Sequence, residues 1–318
     1  MSKNTYAKAV KPTLYFIGVT TAKSSIMKVF PEWAKALNLG DCEIKGMDFK
    51  QHDESALYRE AVAFIKSDPL SLGALVTTHK LDLLKACRDQ FERLDPLAEM
   101  MHEISSISKD GGQLVGHAKD PITSGLSLDA FLPAHHWAKT GAETLLLGAG
   151  GSSIALSWHM MKKEHGVNRP SKIIVTNRSQ GRLDEIKAFH KSLNAGVAVE
   201  YHLCPTAEIN DAVCARLKPG SLVVNATGLG KDAPGSPLTG AAVFPLDGFA
   251  WEFNYRGELV FLDQARAQAK TRRLTVEDGW IYFIHGWTRV IAEVFHVNIP
   301  TAGPEFDRLS QIAGATRK

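Results

Sequence analysis

The feature that most constrains the fold is the segment 145–183, with the sequence LLLGAGGSSIALSWHMMKKEHGVNRPSKIIVTNRSQGRL. An apolar run, a glycine-rich turn, a helix-length stretch and a second apolar run predict strand, turn, helix and strand. In such a unit Gly148 would make the tight turn, Gly150 would let backbone N–H groups approach a pyrophosphate, and Gly151 would let the helix pack closely. A glycine turn between a strand and a helix predicts a dinucleotide-binding unit, whereas the turn alone is weak support.

The residues after the second strand bear on which dinucleotide is bound. A carboxylate there would accept hydrogen bonds from a free ribose 2′-hydroxyl and would favour NAD. This chain instead has Asn177, Arg178 and Ser179, with Arg182 one helical turn beyond. Guanidinium groups bind a 2′-phosphate through paired hydrogen bonds, so the segment favours NADP, with NAD as the alternative. The competing interpretation is that Arg178 and Arg182 are solvated surface arginines.

Strand and helix patterns alternate on both sides of this segment and predict an α/β protein. Upstream, the predicted strands are 14–19, 42–47 and 72–77, the predicted helices are 24–39, 55–67 and 81–91, and a hairpin is expected at 104–108 and 114–117. The other predictions are helices at 127–137 and 183–193, strands at 198–203, 221–225 and 248–253, and a helical tail from Val276. Thr78 is a candidate N-cap for the helix at 81–91.

Composition and charge exclude several classes of protein. With 44% hydrophobic and 22% charged residues and a formal net charge of +3, the 318-residue chain has the balance of a soluble globular protein. It has no excess charge for nucleic acid or an acidic membrane. Its apolar runs are too short to span a bilayer, and no secretory signal is visible at the N-terminus. The four cysteines lie far apart, which predicts unpaired thiols, no metal site and a cytoplasmic location.

A series of short motifs is spread in a fixed order along the chain. They are IGVTTAKSS, LVTTHK and GHAKD before the glycine-rich unit, and then GAGGSSIA, TNRSQGR, VVNATGLG, WEFNYRGE and EDGW. In this order they resemble the shikimate/quinate dehydrogenase family of aromatic amino acid biosynthesis, over almost the whole chain. The resemblance implies an N-terminal α/β substrate domain at 1–120 and a Rossmann-type doubly wound cofactor domain at 121–277. It also implies C-terminal helices at 278–318 that rejoin the first domain, the last of them packing back on it.

The resemblance places the catalytic lysine of the family at Lys80 and its paired aspartate at Asp120. Reduction of a ketone needs a hydride from the nicotinamide and a proton delivered to the forming alkoxide. A lysine held beside a carboxylate supplies that proton, and in the oxidation direction it takes the proton back. The competing interpretation is that Lys80 is a solvated lysine at a helix start and Asp120 is a turn residue before Pro121.

The same motifs, or their neighbours, supply the other candidate site residues. The candidates for binding substrate are Ser24, Ser25, Ser105 and Tyr255. The candidates for binding the cofactor are Gly148, Ala149, Gly150, Gly151, Ser152, Asn177, Arg178, Ser179, Arg182, Asn225, Ala226, Thr227 and Gly279. The implied partners are a small hydroxy acid and NADP, with neither nucleic acid nor membrane, in a monomer or a homodimer.

Several positions depart from the substrate-binding pattern of the family. Apolar residues or glycine stand where the family has polar side chains, at Ile26, Ala74, Val76, Ala118 and Gly286. A site that loses hydrogen-bonding groups discriminates poorly among polyols, because unpaired substrate hydroxyls are costly to bury. The sequence therefore predicts a dehydrogenase for an alicyclic or related hydroxy acid that is not necessarily shikimate. The alternatives are a shikimate or quinate dehydrogenase proper and a non-catalytic NADP-binding sensor or regulator.

Overall fold

The chain folds into two units, each built around its own β-sheet. The structure is a computed structural model that describes residues 6–231 and 233–317. The first unit comprises Met1–Asp120 and Ile284–Lys318, and the second comprises Pro121–Phe283. Residues 278–283, which the sequence analysis assigns to the first domain, therefore fall in the second unit.

The first unit contains a six-stranded mixed sheet. Its strands are β1 (Thr13–Gly18), β2 (Glu43–Asp48), β3 (Ser71–Val76), β4 (Arg93–Leu94), β5 (Ser106–Asp110) and β6 (Gln113–His117). They lie in the order β2-β1-β3-β5-β6-β4, and β1 pairs in parallel with both β2 and β3. All residues of β1 are buried, as expected for a central strand with an apolar sequence. The predicted hairpin is confirmed as the antiparallel pair β5–β6.

Three of the four helices of the N-terminal region lie close to their predicted bounds, and the fourth was not predicted. They are α1 (Ile26–Ala36), α2 (Ser55–Ser67), α3 (Lys80–Cys87) and α4 (Pro96–Met101). Helix α1 buries Phe30 and Trp33, which the helical spacing predicts as core contacts. Helix α2 ends just before Asp68 and Pro69, because a proline disfavours helical backbone in the residue before it.

The second unit contains a six-stranded parallel sheet. Its strands are β7 (Thr144–Leu147), β8 (Lys172–Asn177), β9 (Ala198–Leu203), β10 (Leu222–Asn225), β11 (Phe249–Glu252) and β12 (Thr275–Glu277). They lie in the order β12-β11-β10-β7-β8-β9, and every pair is parallel. This is the doubly wound order of a Rossmann fold, in which the direction of winding reverses between β7 and β10. The predicted Rossmann-type fold is confirmed.

Helices that precede or follow these strands in the chain cover the apolar faces of the second sheet. They are α5 (Asp120–Phe131), α6 (His136–Thr140), α7 (Gly151–Met161), α8 (Gln180–Leu193), α9 (Ala207–Cys214) and α10 (Val260–Arg272). Successive residues of β7 point into two different cores. Leu146 packs in a cluster with Trp251, and Leu145 packs in a second cluster with Phe244 and Phe261. A continuous apolar strand is therefore required at β7, because both of its faces are buried.

The C-terminal helices are α11 (Trp280–Phe295) and α12 (Pro304–Ala315). The indole Nε1 of Trp33 in α1 donates a hydrogen bond to the Leu309 carbonyl oxygen of α12 at 2.8 Å. Trp287 of α11 packs edge-on against Phe16 of β1, with ring centroids 4.9 Å apart. The prediction that the last helix packs back on the N-terminal region is therefore confirmed.

Three local predictions are wrong, each where backbone or tertiary constraints override a local pattern. Thr78 is not the N-cap of α3, because that helix follows His79 and Thr78 has a φ of 62°. The helix expected at 127–137 is divided into α5 and α6, with Pro133 between them, because proline cannot donate to a helical ladder. Val276 lies in β12, which pairs with β11 before the helical tail begins.

The cysteines and the candidate metal ligands were predicted to be unpaired and unclustered. All four cysteines are free thiols, as predicted, and three of them are buried. Among the side chains described, no group of three or more His, Cys, Asp or Glu residues is arranged to hold a metal ion. A membrane-spanning helix is absent from residues 6–231 and 233–317, since none combines the necessary length with sufficient hydropathy.

Candidate active site

The glycine turn follows β7 where the strand order of the second sheet reverses. Gly148 has a φ of 104°, in the left-handed region that favours glycine. A Cβ on Gly148 would also lie 3.0 Å from the carbonyl oxygen of Ala226, just after β10. The turn therefore needs glycine both for its backbone angle and for the close approach of these two segments.

Helix α7 begins directly after this turn, with Gly150 as its N-cap residue. Gly150 is extended, and no heavy atom outside its own chain neighbours lies within 4 Å of the position that its Cβ would take. The first backbone N–H groups of an α-helix have no partner inside the helix, and their dipoles favour an anion. The start of α7 thus combines N–H donors with open space, which fits the pyrophosphate of a dinucleotide.

Gly151 is exposed, and its expected role in close packing of the helix stays a prediction. The residue that ties the helix to the turn is Ser153, which is fully buried and whose Oγ donates to the Gly148 carbonyl oxygen at 2.6 Å. Ala149 is buried in the core beneath the turn, and Ser152 is half-buried. A hydrogen bond from a buried serine therefore ties the first turn of α7 to the glycine turn.

The two arginines beyond β8 differ in the contacts they make. Asn177 donates from Nδ2 to the Ser179 carbonyl oxygen at 3.2 Å, which stabilises the bend after the strand. Arg182 forms an exposed ion pair with Glu185, with 2.7 Å between Nη1 and Oε2. Arg178 is exposed and forms no ion pair with any residue that the structure describes. Arg178 is thus better placed than Arg182 to take an added phosphate.

The end of β10 is held by a buried polar network. The Oδ1 atom of Asn225 accepts hydrogen bonds from the backbone N–H and the hydroxyl of Thr227, at 3.1 and 2.6 Å. Its Nδ2 atom donates to Oε2 of Glu252 at 2.5 Å. Burial raises the pKa of Glu252 to about 7, against the lowering effect of hydrogen bonds from Asn254 and Asn225. The Asn225 side chain therefore shapes the turn. Glu252 was not among the predicted site residues, although it lies inside the WEFNYRGE motif.

Gly279 and Tyr255 lie in an aromatic cluster of the second unit. A Cβ on Gly279 would lie 2.0 Å from the Phe253 carbonyl oxygen, so the chain closes tightly at this point. The Tyr255 ring packs against Phe283 and Trp280, with centroid distances of 4.7 and 5.4 Å. Close packing accounts for glycine at position 279, and the cofactor role expected of Gly279 stays a prediction.

Lys80 and Asp120 form a mostly buried ion pair in the first unit. Lys80 is the first residue of α3, Asp120 is the first residue of α5, and Nζ of Lys80 donates to Oδ2 of Asp120. Their side chains are 20% and 15% exposed. Burial lowers the pKa of Lys80, but the carboxylates of Asp120 and Glu103 outweigh it and leave the pKa above its usual value. The structure thus brings together the two residues that the resemblance marks as catalytic.

A strained turn delivers Lys80 to this position. Thr78 has a φ of 62°, which is unusual for a β-branched residue. The turn is held by hydrogen bonds from Thr77 N to the Ile17 carbonyl oxygen at 3.0 Å and from His79 N to the Thr77 carbonyl oxygen at 2.6 Å. His79 itself is fully buried, with its Nδ1 atom 2.9 Å from the Tyr58 hydroxyl, and burial lowers its pKa. His79 therefore supports the turn from the core.

The candidate substrate-binding serines of the first unit differ in their availability. Ser24 is buried and Ser25 is half-buried, in the turn that leads into α1. The Oγ atom of Ser105 accepts a hydrogen bond from the backbone N–H of Lys119 at 2.6 Å. That bond holds the residue before Asp120, so Ser105 supports the segment that carries the candidate catalytic carboxylate.

The positions that depart from the family pattern are mostly packed into the core. Ile26, Ala74 and Ala118 are fully buried, and Val76 is 1% exposed. Gly286 is half-buried in α11, and no heavy atom outside its own helix backbone lies within 4 Å of the place where a Cβ would stand. The first four positions thus present apolar side chains, none of which can hydrogen-bond a substrate.

Glu103 is a residue of this region that sequence reasoning missed. It is 5% exposed, and its Oε1 atom is buried without a hydrogen-bond partner in the described structure. Burial raises the pKa of Glu103 to about 7, with Lys80 lowering it and Asp120 raising it. A glutamate between a helix and an apolar strand start is ordinarily solvated, and only the folded structure shows that this one is buried beside Lys80 and Asp120.

Comparison with known proteins finds a relative that matches about half of this chain. No family model matches the chain. The chain is similar to a protein of Lactococcus lactis subsp. cremoris (strain MG1363), the shikimate dehydrogenase (NADP(+)), with 27% identity over 154 residues. The match covers 48% of this chain and 50% of the Lactococcus protein, so it spans half the length of that relative.

Solved structures share the fold over nearly the whole chain. The quinate dehydrogenase from Corynebacterium glutamicum in complex with NAD has a TM-score of 0.70 and 19% identity, covering 96% of this chain and 99% of that chain. The ligand-free 5-ketofructose reductase of Gluconobacter sp. strain CHM43 has a TM-score of 0.67 and 15% identity, covering 96% of this chain and 98% of that chain. Identities this low establish the shared fold alone, and proteins with different substrates use it.

Proposed function

We propose that this chain, a shikimate dehydrogenase-like protein in sequence and fold, is an NADP-dependent oxidoreductase for an alicyclic or related hydroxy acid. The observation that carries the proposal is the mostly buried Lys80–Asp120 ion pair. It accompanies a Rossmann-type unit whose glycine turn fits a dinucleotide. The reaction is a reversible exchange between a CH–OH group and a ketone.

The residues of the first unit would move the proton of this reaction. During reduction the Lys80 ammonium would give a proton to the oxygen that becomes the alcohol, and during oxidation the neutral amine would take it back. Asp120 would hold the Lys80 side chain in place through its hydrogen bond to Nζ. The nicotinamide cofactor, when bound, supplies or accepts the hydride.

The residues of the second unit would bind the cofactor. Gly148, Gly150 and the first N–H groups of α7 would hold the pyrophosphate, since this turn is tight and the space beside Gly150 is open. Arg178 would bind the 2′-phosphate of NADP, because it lies just after β8 and its guanidinium has no ion-pair partner in the described structure.

The polar groups of the substrate site would be fewer than a polyol needs. Ser24, Ser25 and Tyr255 are the proposed substrate contacts, while Ile26 and Ala118 offer no hydrogen bond to a substrate hydroxyl. A substrate with many hydroxyls would bury some of them unpaired, at a cost of roughly 1–3 kcal/mol each. The preferred hydroxy acid therefore carries fewer hydroxyl groups than shikimate.

A substrate panel tests the proposed function. Steady-state rates would be measured with NADP and NAD on shikimate, quinate and cyclohexane hydroxy acids with fewer hydroxyls, and on 5-ketofructose in the reducing direction. We expect NADP-dependent turnover, with kcat/KM highest on a less hydroxylated acid. A kcat/KM on shikimate above that on every other acid would instead identify a shikimate dehydrogenase proper. Tight NADP binding without turnover on any compound would favour a sensor or regulator.

Replacement of Arg178 by alanine tests the choice of cofactor. We expect Arg178→Ala to weaken NADP binding by roughly tenfold, the lower end for charge-assisted hydrogen bonds, and to leave NAD binding unchanged. Arg182→Ala is the matched control and should have a smaller effect, because Arg182 already pairs with Glu185. Dissociation constants from fluorescence titration would decide the question. Equal affinities of the parent protein for NAD and NADP would contradict a 2′-phosphate site.

A further inference from the structure

We propose that Glu103 is a positioning residue of the Lys80–Asp120 pair, whose buried carboxyl acts on the Lys80 ammonium and sets the pH range over which Lys80 transfers a proton. The inference rests on the proposed function for the catalytic use of Lys80. The placement of Glu103 near the pair does not depend on the proposed function. It follows from the backbone path, the burial of the carboxyl and the charges around it.

The backbone turns sharply to bring Glu103 to the start of α3. Helix α4 ends at Met101, and His102 takes a left-handed conformation with a φ of 53°. The chain then runs past Lys80, where the backbone N–H of Ile104 donates to the Lys80 carbonyl oxygen at 3.3 Å. The residue after Glu103 is thus hydrogen-bonded to the residue that carries the ammonium.

The burial of the Glu103 carboxyl needs an explanation beyond packing. The residue is 5% exposed, and its Oε1 atom has no hydrogen-bond partner among the residues described. A buried carboxyl with an unsatisfied oxygen destabilises a fold, and an apolar residue of similar size would serve packing better. A favourable charge interaction with the Lys80 ammonium offsets part of this cost.

Charged groups from two elements act on Glu103. These are Lys80 at the start of α3 and Asp120 at the start of α5. Burial and Asp120 raise the pKa of Glu103 and Lys80 lowers it, with a result of about 7. In return, the ionised carboxylate of Glu103 raises the pKa of Lys80.

The sign of the effect on catalysis follows from these charges. Below about pH 7 Glu103 carries its proton, and Lys80 is balanced by Asp120. Above it the second carboxylate holds the proton on Lys80 more strongly, so Lys80 becomes a weaker acid for reduction. Neutral glutamine at position 103 should therefore keep the pKa of Lys80 at its lower value at every pH.

Trace labelling with acetic anhydride tests the inference without any substrate. The reagent acylates only neutral amines, so at about pH 9 each unit by which the pKa of Lys80 falls increases labelling about tenfold. We expect Glu103→Gln to increase acetylation of Lys80 about tenfold relative to other lysines, measured by peptide mass spectrometry. Glu103→Asp, which keeps the charge, should stay near the parent value. Glu99→Gln is the matched control, because Glu99 lies on α4 but is exposed and pairs with Arg88.

Two labelling outcomes would overturn the inference. The first is unchanged labelling of Lys80 in a folded Glu103→Gln protein. The second is an equal increase in Glu103→Gln and Glu103→Asp, which would show that the variants merely loosen the structure. If Glu103→Gln fails to fold, carbon-13 NMR of glutamate-labelled parent protein replaces it. Glu252 should give one carboxyl signal that titrates near pH 7 in both proteins. A second such signal, present in the parent and missing from Glu103→Asp, supports the inference. A parent protein without this second signal contradicts it.

The pH profile of turnover separates this inference from the proposed function. On the best substrate of the panel, kcat/KM for reduction in the parent should fall as pH rises through about 7. This decrease should be absent from the pH profile of Glu103→Gln. If loss of the Lys80 ammonium leaves turnover intact, the catalytic role proposed for Lys80 fails whatever the labelling shows. If loss of the ammonium abolishes turnover but kcat/KM of Glu103→Gln still falls near pH 7, only the role of Glu103 fails.

Discussion

Replacement of Lys80 by methionine is expected to lower kcat by roughly 10²-fold or more, the loss usual for a general acid–base group. Methionine keeps an unbranched side chain of similar length, so the change removes the ammonium with little loss of packing. The affinity for NADP should not change, because the proposed cofactor residues all belong to the second unit. Steady-state kinetics and cofactor titration of the same preparation would measure both quantities.

The partner of Lys80 provides the control for this variant. Lys80→Met removes the ion-pair partner of Asp120, whose side chain is 15% exposed, and so lowers stability as well. The double variant Lys80→Met/Asp120→Asn removes the second charge and should recover part of the lost stability without recovering turnover. Activity that returned together with stability would show that the ion pair is structural. Unchanged turnover in Lys80→Met would remove Lys80 from the reaction.

Replacement of Gly279 by alanine is expected to lower the free energy of unfolding of the second unit by at least about 3 kcal/mol, the upper end for overpacking. The added Cβ would lie 2.0 Å from the Phe253 carbonyl oxygen, and backbone must move to admit it. Urea denaturation without cofactor, followed by tryptophan fluorescence, would measure the change. The Rossmann-type unit contains Trp251 close to this point, since its Nε1 atom donates to the Asp278 carbonyl oxygen at 3.3 Å.

A second glycine of the same unit supplies the matched control. Gly181 lies in α8, is exposed, and has no heavy atom outside its own helix backbone within 4 Å of its Cβ position. Gly181→Ala should therefore raise stability by roughly 0.5–1 kcal/mol through the better helix propensity of alanine. Similar effects of the two substitutions would contradict the close contact at Gly279.

Local patterns in the sequence account for most of the strands and helices. Strand β9 and helix α2 have the predicted bounds, and Pro69 accounts for the end of α2. Helix α10, from Val260 to Arg272, was not predicted, because its charged sequence has little apolar periodicity. Strand β12 has three residues and exists through its pairing with β11, which no local pattern reveals. The elements that the sequence does not predict are thus those whose own residues show little periodicity.

The candidate site also contains residues that the sequence predicts and residues that it does not. Lys80 and Asp120 are recognisable because each lies in a short motif, and the structure pairs them across 40 residues of chain. The burial of Glu103 beside them depends on the left-handed turn at His102, which no motif marks. The hydrogen bond that Asn225 donates from Nδ2 depends on Glu252 of a neighbouring strand. Motifs therefore identify the reacting groups, while the groups that tune or position them emerge only from tertiary contacts.

The hydrogen bond between Trp33 and Leu309 has a consequence for the order of folding. It joins residues 276 positions apart, and it lies in the core of the unit that contains the start of the sequence. During synthesis, α12 leaves the ribosome only after every residue of the Rossmann-type unit has done so. The N-terminal sheet must therefore wait with an apolar face of α1 uncovered, while the contiguous unit 121–283 has all of its strands available. We therefore expect the later part of the polypeptide to fold first and the earlier part to be completed last.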